Sequence, residues 1–167
     1  MASEEVKILA VVGMSGSGKS VAVDYLTSSG TPKVYFGGMI IRGVKERGWE
    51  VNEENERKFR EEIRAGQKRI ILDGLYSWTE YLALKKEFPE AVTTVAIMTP
   101  KKLRYKRVGK REIRPLSLEE IRARDKAEIE NLEKGGPIAM ADYFVMNDGT
   151  KEELEERLGG ILREIEW

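Results

Sequence analysis

The chain has 167 residues, 41% apolar and 35% charged, which is the balance of one globular domain and excludes general disorder, since disordered chains carry too few apolar groups to offset ordering entropy. Lysine plus arginine is 29 and aspartate plus glutamate is 29, so no net positive charge draws in nucleic acid or an anionic membrane, and anion binding has to be local. Cysteine and histidine are both absent, which excludes disulfides, thiolate and imidazole metal sites, and Ser-His-Asp or Cys-His hydrolases.

The opening Met1-Ala2-Ser3-Glu4-Glu5 lacks a basic n-region, and the apolar stretch from Ile8 to Val12 is short, so a cytoplasmic protein is expected. Val6 to Val12 is apolar apart from Lys7, the pattern of a strand buried on both faces of a parallel sheet. The spacing of Val21, Tyr25 and Leu26 predicts a helix from Gly18 to Ser28, stopped by Gly30 and Pro32. Lys33 to Phe36 reads as a second strand, followed by helices over Met39 to Arg47 and Asn52 to Ala65.

Arg69 to Leu72 is a third, β-rich run before Asp73-Gly74, and Ser77 to Phe88 reads as a helix ended by Pro89. Val92 to Met98 is a fourth strand. Pro100 opens a helix, and Ser117-Leu118-Glu119-Glu120 has capping-box spacing for a longer one running to about Lys134. Asp142 to Met146 is the last strand, and Lys151 to Ile165 a closing amphipathic helix. Strands and helices thus alternate throughout, the signature of a parallel sheet that binds ligands beyond the carboxyl ends of its strands.

Gly13-Met14-Ser15-Gly16-Ser17-Gly18-Lys19-Ser20 fits G-x-x-x-x-G-K-[ST] between a buried strand and a helix. The glycines let backbone N–H groups from Gly13 to Ser20 wrap a phosphate, Lys19 reaches the outer phosphates, and the Ser20 hydroxyl suits Mg2+, which prefers oxygen ligands. Asp73, at the end of Ile70-Ile71-Leu72, emerges at the same sheet edge, where it can serve the metal or orient an acceptor; a plain Asp-Gly turn is the alternative. From Lys101 to Arg114 eight cations face one acid, Glu112. Arginine's planar fork suits phosphate oxygens, so Arg107, Arg111 and Arg114 are candidates to stabilise transferring charge on a mobile lid, while Lys101, Lys102 and Lys106 fit a solvated helix face. Asp125 to Glu133 alternates in charge, the pattern of an exposed helix laced with ion pairs, with Arg124 a possible exception.

These residues resemble the nucleoside monophosphate kinase group of P-loop proteins, which includes adenylate kinase and dephospho-coenzyme A kinase. Ile70-Ile71-Leu72-Asp73-Gly74 resembles the adenylate kinase strand ending in L-D-G, and Gly37-Gly38-Met39-Ile40-Ile41-Arg42 resembles its G-D-[LV]-[LIV]-R segment, which implies that Arg42 holds the acceptor. Ala141 to Thr150 is similar to the A-D-Y-x-[IV]-x-N-x-G-[ST] stretch of dephospho-coenzyme A kinases and related nucleotide-kinase-like proteins, which implies that Asn147 and Gly149 lie beside the adenine. The group departs from this chain at Gly38, where an aspartate is usual, and at Leu75-Tyr76-Ser77, where F-P-R is usual. Phe36-Gly37-Gly38 also lacks the aspartate of dephospho-coenzyme A kinases, and the interval from Asn52 to Arg69 is short for an acceptor region.

The resemblance implies an α/β P-loop NTPase fold: a three-layer sandwich with a parallel five-stranded sheet of order 2-3-1-4-5, flanked by helices and carrying a small basic lid. A single domain spanning 1–167 would have its core in 1–100 and 135–167, its acceptor-binding region in 37–66 and its lid in 104–118. The expected activity is ATP- and Mg2+-dependent transfer of the γ-phosphoryl group to a nucleotide-like small molecule, with Lys19, Asp73, Arg107, Arg111 and Arg114 catalytic and Arg42, Arg60 and Arg64 holding the acceptor. The expected partners are a nucleotide donor and a small-molecule acceptor, without membrane or nucleic acid, in a monomer or a homodimer. A nucleotide-dependent switch or regulatory ATPase is the alternative from another class, although the N-K-x-D of GTPase-type base reading is absent.

Overall fold

Strand β1, Lys7–Val12, is the centre of the sheet and is apolar on both sides because both of its faces are covered. In the computed structural model, which describes residues 6–35, 66 and 68–167, it pairs in parallel with β3 (Arg69–Asp73) on one side and β4 (Val92–Met98) on the other. Strand β2 (Lys33–Tyr35) pairs with β3, and β5 (Tyr143–Met146) with β4. The order β2-β3-β1-β4-β5, all parallel, is the expected 2-3-1-4-5.

Among the described residues the helices are α1 (Lys19–Thr27), α2 (Trp78–Glu87), α3 (Lys101–Gly109), α4 (Leu118–Glu130), α5 (Gly135–Ala139) and α6 (Lys151–Glu164). Because side chains alternate along a strand, Ile8, Ala10, Val12, Ile70 and Leu72 face one layer, where they pack against Leu75 and against Tyr81 and Leu84 of α2. Leu9, Val11, Ile71, Val95 and Ile97 face the other, against Ala22, Val23 and Leu26 of α1 and Leu154 and Leu158 of α6. The result is a helix-sheet-helix sandwich. Capping boxes start three of the helices: Ser77 with Glu80, Ser117 with Glu120 and Thr150 with Glu153.

Two expectations need correction. The helix opened by Ser117 stops at Glu130 instead of reaching Lys134, because Glu133 adopts φ 54° and the chain re-enters a helix only at Gly135. The span 104–118 is not a loose lid throughout: its opening stretch is the second half of α3, fixed by buried Arg104 and Val108. The helices expected at 39–47 and 52–65, the region 37–65 and Arg42, Arg60 and Arg64 lie outside the described residues. Among the described residues, no helix is long and apolar enough to cross a membrane.

Leu72 is fully buried in the middle of β3. Leu72→Ala therefore removes packing that nothing can refill, and urea titration of the variant is expected to show a loss of about 2–5 kcal/mol.

Candidate functional site

The strand ends converge. In register, Val11 of β1 lies beside Asp73 of β3, and Met98 of β4 beside Met146 of β5, so the loop that follows Val12 opens at the same edge as Asp73. There a cleft of about 690 Å³ is lined by Ser15, Gly16, Gly18, Lys19 and Ser20 of the loop, by Asp73 and Tyr76, by Arg107 and Arg111, and by Arg124, Glu128, Leu132 and Lys134.

The glycine loop is held from outside as well as by its own turns. Gly18, at φ 97°, precedes α1, and a Cβ there would fall 2.1 Å from the Asn147 amide nitrogen. That amide donates to the Ser17 carbonyl at 2.7 Å, from just beyond the end of β5. At Gly16, φ 79°, a Cβ would collide with Val108 and the Arg104 carbonyl of α3. Both positions thus require glycine for conformation and for close approach.

The backbone of Ser15 is held at both its N–H and its carbonyl. Its N–H donates to Glu128 Oε2 at 3.0 Å, and its carbonyl accepts from Arg104 at 2.9 Å. Arg104 in turn makes a two-pronged pair with Asp125, at 2.9 and 2.7 Å. This pair raises the Arg104 pKa; burial pushes the Asp125 carboxyl up, but the bonds and charge of Arg104 outweigh it and leave Asp125 below the usual range. Glu128 shows the same contest, burial raising it while Lys134 and the Ser15 N–H bring it below its usual value.

Lys19 curls over its own loop, donating to the Gly13 carbonyl at 2.8 Å and the Met14 carbonyl at 3.2 Å. Its pKa is lowered to about 8: burial is the main cause and Lys134 adds to it, while Glu128 and Asp73 oppose them. Ser20 and Asp73 supply a hydroxyl and a carboxylate to the cleft. These are hard oxygen donors that fit Mg2+, and among the described residues no cluster of three or more His, Cys, Asp or Glu offers a complete protein cage. A magnesium ion here would draw its remaining oxygens from water and from phosphates.

Of the residues the sequence singles out, Ser15, Gly16, Gly18, Lys19, Ser20, Asp73, Arg107 and Arg111 therefore meet in one cleft. Arg107 currently donates to the Asn147 carbonyl at 3.0 Å. Arg114 is exposed at φ 54° and outside the cleft lining, as are Asn147 and Gly149, Asn147 being a buried brace of the loop. Thr99, whose hydroxyl lies within hydrogen-bonding distance of the Ser17 and Asn147 carbonyls, joins that brace. Sequence reasoning missed Arg104, Asp125, Glu128 and Lys134. The span Asp125 to Glu133 was expected to be exposed, yet Glu128 is 4% exposed and Asp125 half-buried. A usable signal was there: Ile121, Asp125 and Glu128 fall at i, i+4 and i+7, which places both carboxylates on the stripe of a buried isoleucine.

Arg104→Met leaves the half-buried Asp125 carboxylate and the Ser15 carbonyl without their partner, and chemical denaturation is expected to show a loss of about 1–3 kcal/mol. Adding Asp125→Leu removes the orphaned charge and should restore part of that loss.

No protein-family model matches the chain. Solved structures with the same P-loop kinase-like fold include TT1252 from Thermus thermophilus, at a TM-score of 0.66 and 24% identity over 96% of this chain and 98% of that one. Shikimate kinase from Bacteroides thetaiotaomicron superposes at a TM-score of 0.63 and 14% identity, covering 96% and 99%. Similarity at these identities establishes the fold alone. In sequence, the chain is 33% identical to a UPF0200 protein of Thermococcus gammatolerans, with 95% of each chain covered. It is 30% identical to a UPF0200/UPF0201 protein of Archaeoglobus fulgidus, over 96% of this chain and 56% of that protein. The loop, the sheet order and these relatives agree: the chain belongs to the UPF0200 family and has a P-loop kinase-like fold.

Proposed function

We propose that this protein is an ATP- and Mg2+-dependent phosphotransferase that moves the γ-phosphoryl group of the donor to a nucleotide-like small-molecule acceptor. The observation that carries the reading is the meeting of Lys19, Ser20, Asp73, Arg107 and Arg111 in one cleft at the strand ends. Phosphoryl transfer needs positioning and charge stabilisation more than covalent help, and this set supplies both.

The N–H groups from Gly13 to Ser20 cradle the phosphates at the positive end of α1. Lys19 exchanges its two loop carbonyls for phosphate oxygens, a stronger, charge-assisted contact. Ser20 and Asp73 would hold Mg2+, which supplies charge neutralisation across the phosphates. Arg107 and Arg111 face the transferring group, and in this reading Arg114, which lies outside the cleft lining, joins them when the segment after α3 closes. Acceptor contacts from Arg42, Arg60 and Arg64 belong to the same reading.

Wild-type protein is expected to form ADP from ATP in proportion to an added acceptor in a screen of nucleotides and small hydroxyl compounds, and Lys19→Ala should abolish it. Slow, acceptor-independent hydrolysis as the only activity would instead identify a switch.

Bound phosphates favour charged Lys19, so they raise its pKa from about 8. Above that pH the free protein holds fewer protons than the complex, so affinity for magnesium ATP should fall as pH rises through about 8. Calorimetry in two buffers of different ionisation enthalpy should show net proton uptake in that range, and a smaller uptake once Lys19 is replaced by alanine.

A further inference from the structure

Beside Lys19 the cleft holds a second buried ammonium group, which sequence reasoning did not single out. Lys134 is 6% exposed and precedes α5 at the bend created by Glu133. Its Nζ lies 3.1 Å from Glu128 Oε1 and 4.7 Å from the centroid of the Tyr76 ring, within cation–π reach. The other oxygen of Glu128 accepts the Ser15 N–H. One carboxylate thereby fixes Lys134 to the phosphate loop, and Arg124, 3.4 Å from the same Oε1, adds a further cation.

Such a pair is a poor device for stability alone, because desolvating two charges is often matched or bettered by apolar side chains of similar volume. Its place in the cleft supplies a different reason. Lys134 and Lys19 line the same space, with Arg124 beside them and Glu128 the acid they share. Burial lowers the pKa of both lysines; Lys134 is the strongest electrostatic influence lowering that of Lys19, and Glu128 pulls both back. Like charges lining one cleft favour an additional anion between them, and the carboxylates of Glu128 and Asp73 leave Lys19, Lys134 and Arg124 incompletely neutralised.

We propose that Lys134 is a second catalytic cation that contacts the terminal phosphoryl group of the donor, with Glu128 as the positioning residue that aims it. The proposal rests on the phosphotransferase reading above. In the step it serves, the bond from the γ-phosphorus to the β–γ bridging oxygen breaks while an acceptor oxygen bonds to that phosphorus. The acceptor's proton, where it has one, passes to water; Lys134 keeps its protons and stabilises the charge on the equatorial oxygens.

The test compares magnesium ADP with the magnesium complex of the imido analogue of ATP, which differs from it by the terminal phosphoryl group. Lys134→Met combined with Glu128→Gln removes both charges together and keeps an acceptor for the Ser15 N–H. This variant is expected to bind the analogue about tenfold more weakly, as fits a lost charge-assisted contact, and ADP within about twofold of wild type. An unchanged analogue affinity, or an equal loss for both nucleotides, would overturn the proposal. Should the variant fail to fold, crystals of wild type with the analogue decide: Lys134 Nζ is expected about 3 Å from a γ-phosphate oxygen, and a gap beyond about 4.5 Å overturns the role. Wild type that binds neither nucleotide sinks the phosphotransferase reading, and Lys134's role with it; wild type that binds both while the variant keeps their ratio sinks the role alone.

Discussion

The grip on the Ser15 backbone is the constraint on which the site depends. Its N–H is held by Glu128 and its carbonyl by Arg104, and Arg104 is locked by Asp125. Asp125 and Glu128 are three residues apart and so share one face of α4. Helices α3 and α4 are thereby fastened to one residue of the glycine loop. A loop of small residues has little intrinsic preference for a single shape, and its order here comes from these outside contacts and from the Asn147 amide on Ser17.

The arrangement spends stability on electrostatics. Arg104, Glu128 and Lys134 are charged and nearly dry, and an apolar set of the same volume would fold at least as well. In exchange the cleft has fixed dipoles and charges that need no rearrangement when an anion arrives, the condition under which such groups act most strongly on a developing charge. Lys19 is the movable part of this set, parked on two carbonyls of its own loop.

The strands were legible because a sheet covered on both sides demands continuous apolar runs, as in Ile8 to Val12 and Ile70 to Leu72. The phosphate loop was legible because its glycines and Lys19 answer to a local geometry, and the capping box at Ser117 because its partner is three residues away. Lys134 was not, and Glu128 was legible only through its spacing from Ile121. Alternating charge is what a solvated helix also shows, and the partners that bury them lie far along the chain: Ser15, more than a hundred residues earlier, for Glu128, and Tyr76 for Lys134. Asn147 was found through family resemblance, yet its amide is turned onto the Ser17 carbonyl. The end of α4 was misjudged because nothing in the local composition forces Glu133 into a left-handed conformation.

Because α3 and α4 are both pinned near Ser15, the connection from Lys110 to Leu116 behaves as a strap with two fastened ends. Lengthening such a strap costs little, about 0.6 kcal/mol for each doubling, and does not pass strain to the glycine turn below it. Length is therefore the freer quantity in this connection: residues can be added beyond Arg111, which lines the cleft, while the fastened ends keep the glycine loop braced.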